Sequence, residues 1–267
     1  MKQIIFALLF LSFSLYAKDI STYLNGKYQT TDKVKSTLNS NGFKVVGEYD
    51  AMGDAQYHVV VYTCPGLTKL ASKETRGFAA VQKVLVDSKA KNLVFTNPEY
   101  FMPAFLQDDN NPKIMTKVSS KLNAAFTDLK GSELKLEDDD IAGFHFMMGM
   151  PYYEDMIEIA EGKDLAKRLA ANAKGDIVFK LNVGHATLYG INMPTKEGEK
   201  SYVPAIEAAP HAAFLPYMLL IEENNAYILH GKYYLAISNP NLSMGDFMNI
   251  SSAPGDIEDY MTDLVTK

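Results

Sequence analysis

Two stretches, "TNPEYFMPAFLQDDNNPKIMTKVSSKL" (96–122) and "SNPNLSMGDFMNISSAPGDIEDYMTDL" (238–264), match without a gap at a separation of 142 residues. Asn97/Asn239, Pro98/Pro240, Met102/Met244, Phe105/Phe247, Pro112/Pro254 and Leu122/Leu264 coincide. The matches keep an Asn-Pro turn, an apolar pair three apart and a second proline ahead of an apolar-periodic run. Self-similarity of this kind reads as a duplication.

The flanking sequence repeats an order of elements. "DKVKSTLNSNG" (32–42) has Val34 and Leu38 at i, i+4 and a glycine stop, which predicts a helix. "FKVVGEYDA" and "YHVVVYTCP" read as strands, "GLTKLASKETRG" as a helix, and "KVLVDS" and "LVFTN" as a hairpin that Asn97-Pro98 ends. A long helix is expected over 112–130, opened by Pro112. The second copy offers "KDLAKRLAANAKG" as helix, "DIVFKLNVG" and "HATLYGINMP" as strands, and "SYVPAIEAAP" as a short helix. "YMLLIEENNAYILHGKYYLAISNP" reads as a long hairpin and "PGDIEDYMTDLVTK" as the last helix. "FAAVQKVLV" (78–86) aligns with "HAAFLPYML" (211–219) at a separation of 133, so the second hairpin is expected to be nine residues longer than the first.

Helices alternating with pairs of antiparallel strands predict an α+β chain. The organisation expected is a first unit at 18–130, an insertion at 131–162 and a second unit at 163–267. Each unit is a small sheet with helices on one side, and the two sheets cover each other's apolar faces as a pseudo-dimer.

Residues 1–17, with a basic start, an apolar run too short to span a bilayer and "LYA" before Lys18, read as a cleavable signal peptide. That predicts an exported chain, periplasmic or secreted, which does not span a membrane after processing. A single cysteine, Cys64, leaves no internal disulfide. The formal net charge of −6 argues against a nucleic-acid partner.

"KVKSTLNSNGFKVVGEYD", "HVVVYTCPGLTKLA", "RGFAAVQKVLV" and "FTNPEYFMPAFLQDD" resemble the domain of unknown function 302, and "EAAPHAAFLPYMLLIEENNAYILHGKYYLAISNP" resembles its second half. The resemblance spans most of 22–130 and 163–267. It implies a small α+β domain, here in tandem, and brings no activity and no catalytic residues.

Motifs for common enzyme classes are missing: there is no G-x-S-x-G, G-x-G-x-x-G, P-loop, H-E-x-x-H or C-x-x-C. The reading is therefore a non-enzymatic protein that binds a small ligand or a periplasmic partner. An enzyme with dispersed residues is the remoter alternative. Met102, Phe105, Met244 and Phe247 would line a ligand cleft between the copies.

"GFHFMMGMPYYEDM" (143–156) suggests a second possibility. Read as a strand, it places His145 and Met147 on one face, a pair that could bind Cu(I), and puts Phe144, Phe146, Met148 and Met150 on the core face. Copper is the cofactor this pair implies, with calcium at the acidic run 133–140 a lesser alternative, and a thioether outlasts a thiol in an oxidising compartment. "PYYEDMIEIAEG" (151–162) would then be a helix. Cys64 is either a buried inert thiol or a reactive one. His58, His211 and His230 are expected in structural roles, His211 at a helix end and His230 in a bulge or turn. "ELKLEDDD" (133–140) reads as a solvated linker.

Overall fold

The computed structural model describes residues 18–267, so the segment read as a signal peptide lies outside the described residues. The chain is α+β. Its first part runs β1 (Asp19–Ser21), β2 (Tyr23–Lys27), α1 (Thr31–Ser40), β3 (Lys44–Asp50), β4 (Tyr57–Thr63), α2 (Pro65–Ala71), β5 (Gln82–Asp87) and β6 (Asn92–Thr96). Then come α3 (Pro98–Leu106), α4 (Pro112–Ala125), β7 (Lys130–Gly131), β8 (Lys135–Glu137) and α5 (Asp138–Ile141). The second part runs β9 (Ile157–Glu161), α6 (Leu165–Asn172), β10 (Ile177–Val183), β11 (Ala186–Ile191) and α7 (Glu199–Ala205). It ends with β12 (Tyr217–Glu222), β13 (Asn225–Ile228), α8 (Gly231–Ser238), α9 (Met244–Asn249) and α10 (Ala253–Thr266).

The two large sheets share an order over five strands, and the first carries β7 as a sixth. One is β3-β4-β5-β6-β2-β7 and the other β10-β11-β12-β13-β9. All their pairings are antiparallel. β1 and β8 form a separate ribbon. Val34 and Leu38 of α1 are buried, as their spacing requires, and β4 and β5 read as apolar runs because they are central strands.

Several expectations are corrected. "GKYYLAIS" is the helix α8, not a strand of a long hairpin. It is buried nearly all round, and an apolar run of that length has no periodicity to separate a buried helix from a strand. Its cap decides the matter: His230 Nδ1 accepts the backbone N–H of Lys232 at 3.1 Å, as Asn97 Oδ1 accepts that of Glu99 at 3.0 Å ahead of α3. The separation of 133 therefore continues through α8. Asn97 precedes α3 whereas Asn239 follows α8, so that Asn-Pro match is not a structural equivalence. The additional residues of the second part lie between α8 and α10, where α9 sits.

The expected helix over 151–162 is a short 3-10 turn at Tyr153–Asp155 followed by β9, which pairs with β13. The sheet thus draws an edge strand from the segment read as lying between the copies. The helix expected to reach residue 130 ends at Ala125. "ELKLEDDD" is not a plain linker, since it supplies β8 and α5.

The two parts meet through reciprocal contacts. Tyr100 Oη on α3 donates to the Ile237 carbonyl of α8 at 2.8 Å, and Tyr233 Oη on α8 donates to the Ala104 carbonyl of α3 at 3.0 Å. Donors and acceptors are again 133 apart. Edge strands β3 and β10 lie against each other, each with a bulge, between Val45 and Gly47 in one and Ile177 and Phe179 in the other. The 3-10 turn Gly77–Ala80 packs on β11 and β12, and the turn Ala209–Phe214 on β4, β5 and β6.

Candidate functional site

Residues 143–150 form no strand. Gly149 has φ +82°, and Met150 N donates to the Met147 carbonyl at 2.9 Å, which closes a tight turn of the kind that needs glycine. The loop hangs between two anchors. On one side Ile141 is fully buried. On the other, Tyr153 Oη donates to the Thr75 carbonyl at 2.5 Å, and Arg76 pairs with Glu154 at 3.0 Å and lies 5.4 Å from the Tyr153 ring centre.

Facing the loop is α9. Ser243 Oγ accepts the N–H of Asp246 at 3.2 Å and the Asp246 carboxylate accepts that of Ser243 at 2.8 Å, a reciprocal cap that fixes this short helix. Phe247 points inward and stacks on Phe146, with ring centres 4.8 Å apart. Met244 and Met248, four apart on the same helix, stay exposed.

Between loop and helix lies a cleft of about 530 Å³. Asp140, Phe144, His145, Phe146 and Met147 line one side, and Pro240, Leu242 and Met244 the other. The His145 ring rests on Tyr152, with centres 4.5 Å apart, and neither of its nitrogens is hydrogen-bonded to another described residue. The exposed large hydrophobic side chains among the described residues are Met147, Met148, Tyr152, Met244 and Met248, all on these two segments. Exposed apolar side chains gathered on neighbouring segments are a feature that suits an interaction. Thioethers suit it because they adapt to varied shapes.

The four residues expected to line one cleft are not together. Met102 and Phe105 are buried in α3, where Phe105 stacks against Tyr153 and Tyr234. Met244 lines the surface cleft, and Phe247 holds its wall. The face assignment within 143–150 also changes, because without a strand there is no alternation to impose it. Met148, expected in the core, is 94% exposed. Met148→Ser should accordingly change unfolding free energy by no more than about 0.5 kcal/mol in urea titration, where a core methionine would lose several.

Cys64 is buried and lines a separate groove of about 410 Å³ with Lys69, Lys117 and Lys121 around Ile114 and Val118. His58 is held by Asp50 at 2.6 Å and Glu48 at 3.4 Å, and His211 by Asn239 at 2.9 Å. His211 does not cap a helix end; its ring lies 5.4 Å from that of Tyr23. Among the described residues no three His, Cys, Asp or Glu side chains gather as a metal site.

The sequence reading missed a buried polar cluster between the two parts. Lys83 Nζ on β5 donates to the carbonyls of Phe214 and, at 3.1 Å, Pro216, and to Tyr234 Oη at 2.9 Å. Conversely, the Glu199 carboxylate accepts Tyr49 Oη and the Met52 N–H, both at 2.9 Å. Burial pushes the Lys83 ammonium down to about 7 and the Glu199 carboxyl up to about 7. The only trace in the sequence is a lysine, next to Gln82, inside the strand run "VQKVLV".

Comparisons with family profiles, curated proteins and solved structures gave no match. Among the described residues no helix is long and apolar enough to cross a membrane.

Proposed function

We propose that this is an exported, non-catalytic binding protein that takes its ligand in the cleft between the 143–150 loop and α9. The observation that carries the reading is the gathering of the exposed methionines and Tyr152 on the two segments that form the cleft. Covering an exposed apolar side chain under a ligand contributes at most about 1.5–3 kcal/mol, against which the cost of association is set. Among the lining side chains only His145 and Asp140 are polar, and these two would orient a bound ligand. The same reading takes the two units as tandem relatives of the domain of unknown function 302, on the segments quoted above.

The test is titration with a neutral apolar dye such as Nile red. The native protein should bind it with saturable fluorescence, and the double variant Met147→Asp, Met244→Asp should bind at least tenfold more weakly with unchanged circular dichroism. Absence of saturable binding, or equal binding by the variant, would overturn the proposal.

A further inference from the structure

Resting on the reading of this cleft as the binding surface, we infer that it is a Cu(I) site with His145, Met147 and Met244 as ligands. The sequence offered only the first two. The fold adds Met244, more than ninety residues away in the chain, to the lining of the same cleft.

The donor chemistry selects the ion. Two thioethers and one imidazole are soft to intermediate ligands and carry no charge, a combination that favours Cu(I). Hard divalent cations want several oxygens, and Asp140 is the one carboxylate of the cleft. Zinc favours thiolate, imidazole and carboxylate over thioether. Asp140 supplies a compensating negative charge for a monovalent ion without turning the site into an oxygen cage.

The accessibility of the groups fits as well. His58, His211 and His230 each have a ring nitrogen engaged by a neighbouring residue. The nitrogens of His145 and His185 are open, and of these two only His145 shares a cleft lining with methionines. Tyr152 holds the ring by its face, which leaves the nitrogens, at its edge, for coordination. Met147 and Met244 are 37% and 43% exposed, so neither side chain is locked in the core. Met148, at 94%, lies outside the cleft lining and is assigned no bond to the metal.

The experiment is competition for Cu(I) against bicinchoninate under anaerobic conditions, with the full mature chain. One equivalent should be withdrawn from the chelator. His145→Ala, Met147→Leu and Met244→Leu should each weaken binding at least tenfold, while Met148→Leu and Cys64→Ser leave it unchanged. Stoichiometric Zn(II) should not compete. Thermal unfolding of each apo variant should match the native protein, since none of the three ligands is core. Copper left with the chelator, or binding that falls only in Cys64→Ser, overturns the inference. If copper fails while Nile red still titrates the cleft, the binding surface stands without its metal. If both fail, both readings fall.

Discussion

Lys83→Ala is expected to lower the unfolding free energy by about 3–5 kcal/mol, because it strips buried acceptors of their donor and leaves a void. Lys83→Met, which keeps the stem, should lose less, about 1–3 kcal/mol for the acceptor left unmet at Pro216. The pH dependence separates this from simple packing. An unfolded lysine titrates at about 10.4, and Lys83 in the fold at about 7. Between those values the unfolded chain holds the extra proton, so stability rises with pH, by up to about 1.4 kcal/mol per unit. The contribution is complete above the unfolded value and is lost as pH falls through about 7.

Glu199 acts in the opposite sense. Its folded value, about 7, stands above the unfolded one, which is about 4.3. The folded chain holds the extra proton in that window, so stability is full at the acidic end and is lost as pH rises toward neutrality. Together the two groups place a minimum near neutral pH. Urea unfolding across the range should show the alkaline rise missing in Lys83→Met and the acidic rise missing in Glu199→Gln. Profiles parallel to the native one in both variants would refute the assignment.

Gly47→Val is expected to destabilise by about 3 kcal/mol, the upper part of the range for overpacking. A Cβ at Gly47 would come within 2.4 Å of the Val178 carbonyl oxygen and 2.8 Å of the Phe179 Cβ. Backbone in a facing strand cannot swing aside as a flexible side chain can. Gly143→Ala is the control: its Cβ meets nothing within 4 Å, and it should be near neutral. The midpoint in urea measures both. If Gly47→Val unfolds no earlier than Gly143→Ala, the close approach of β3 and β10 is wrong.

Much of the fold was legible because its strands and outer helices carry one-sided patterns, as in α1 with Val34 and Leu38. What escaped lacked that contrast. α8 is buried all round, so "YYLAIS" looks the same as a strand, and its cap is a histidine, an uncommon choice. β9 hid behind Glu154 and Asp155, which read as a helical first turn but serve a 3-10 turn before a short alternating strand. The candidate site was half visible. His145 and Met147 stood out by residue type, but Met244 could join them only through the packing of α9 on the loop, which no local pattern encodes. Met148 was misplaced because its neighbours' hydrophobicity was assigned to a strand that does not form.

The reciprocal tyrosine bonds between α3 and α8 bear on dilution. If the two parts were separate chains, Tyr100, Tyr233, Lys83 and Glu199 would each find their partners only on encounter, and the fold would weaken as concentration dropped. Residues 126–156 join them instead, and a connection of that kind fixes the effective concentration of one part around the other, commonly at millimolar level. The seam therefore closes in a single molecule as readily as in a crowd, and the midpoint of unfolding should be the same at nanomolar and micromolar protein.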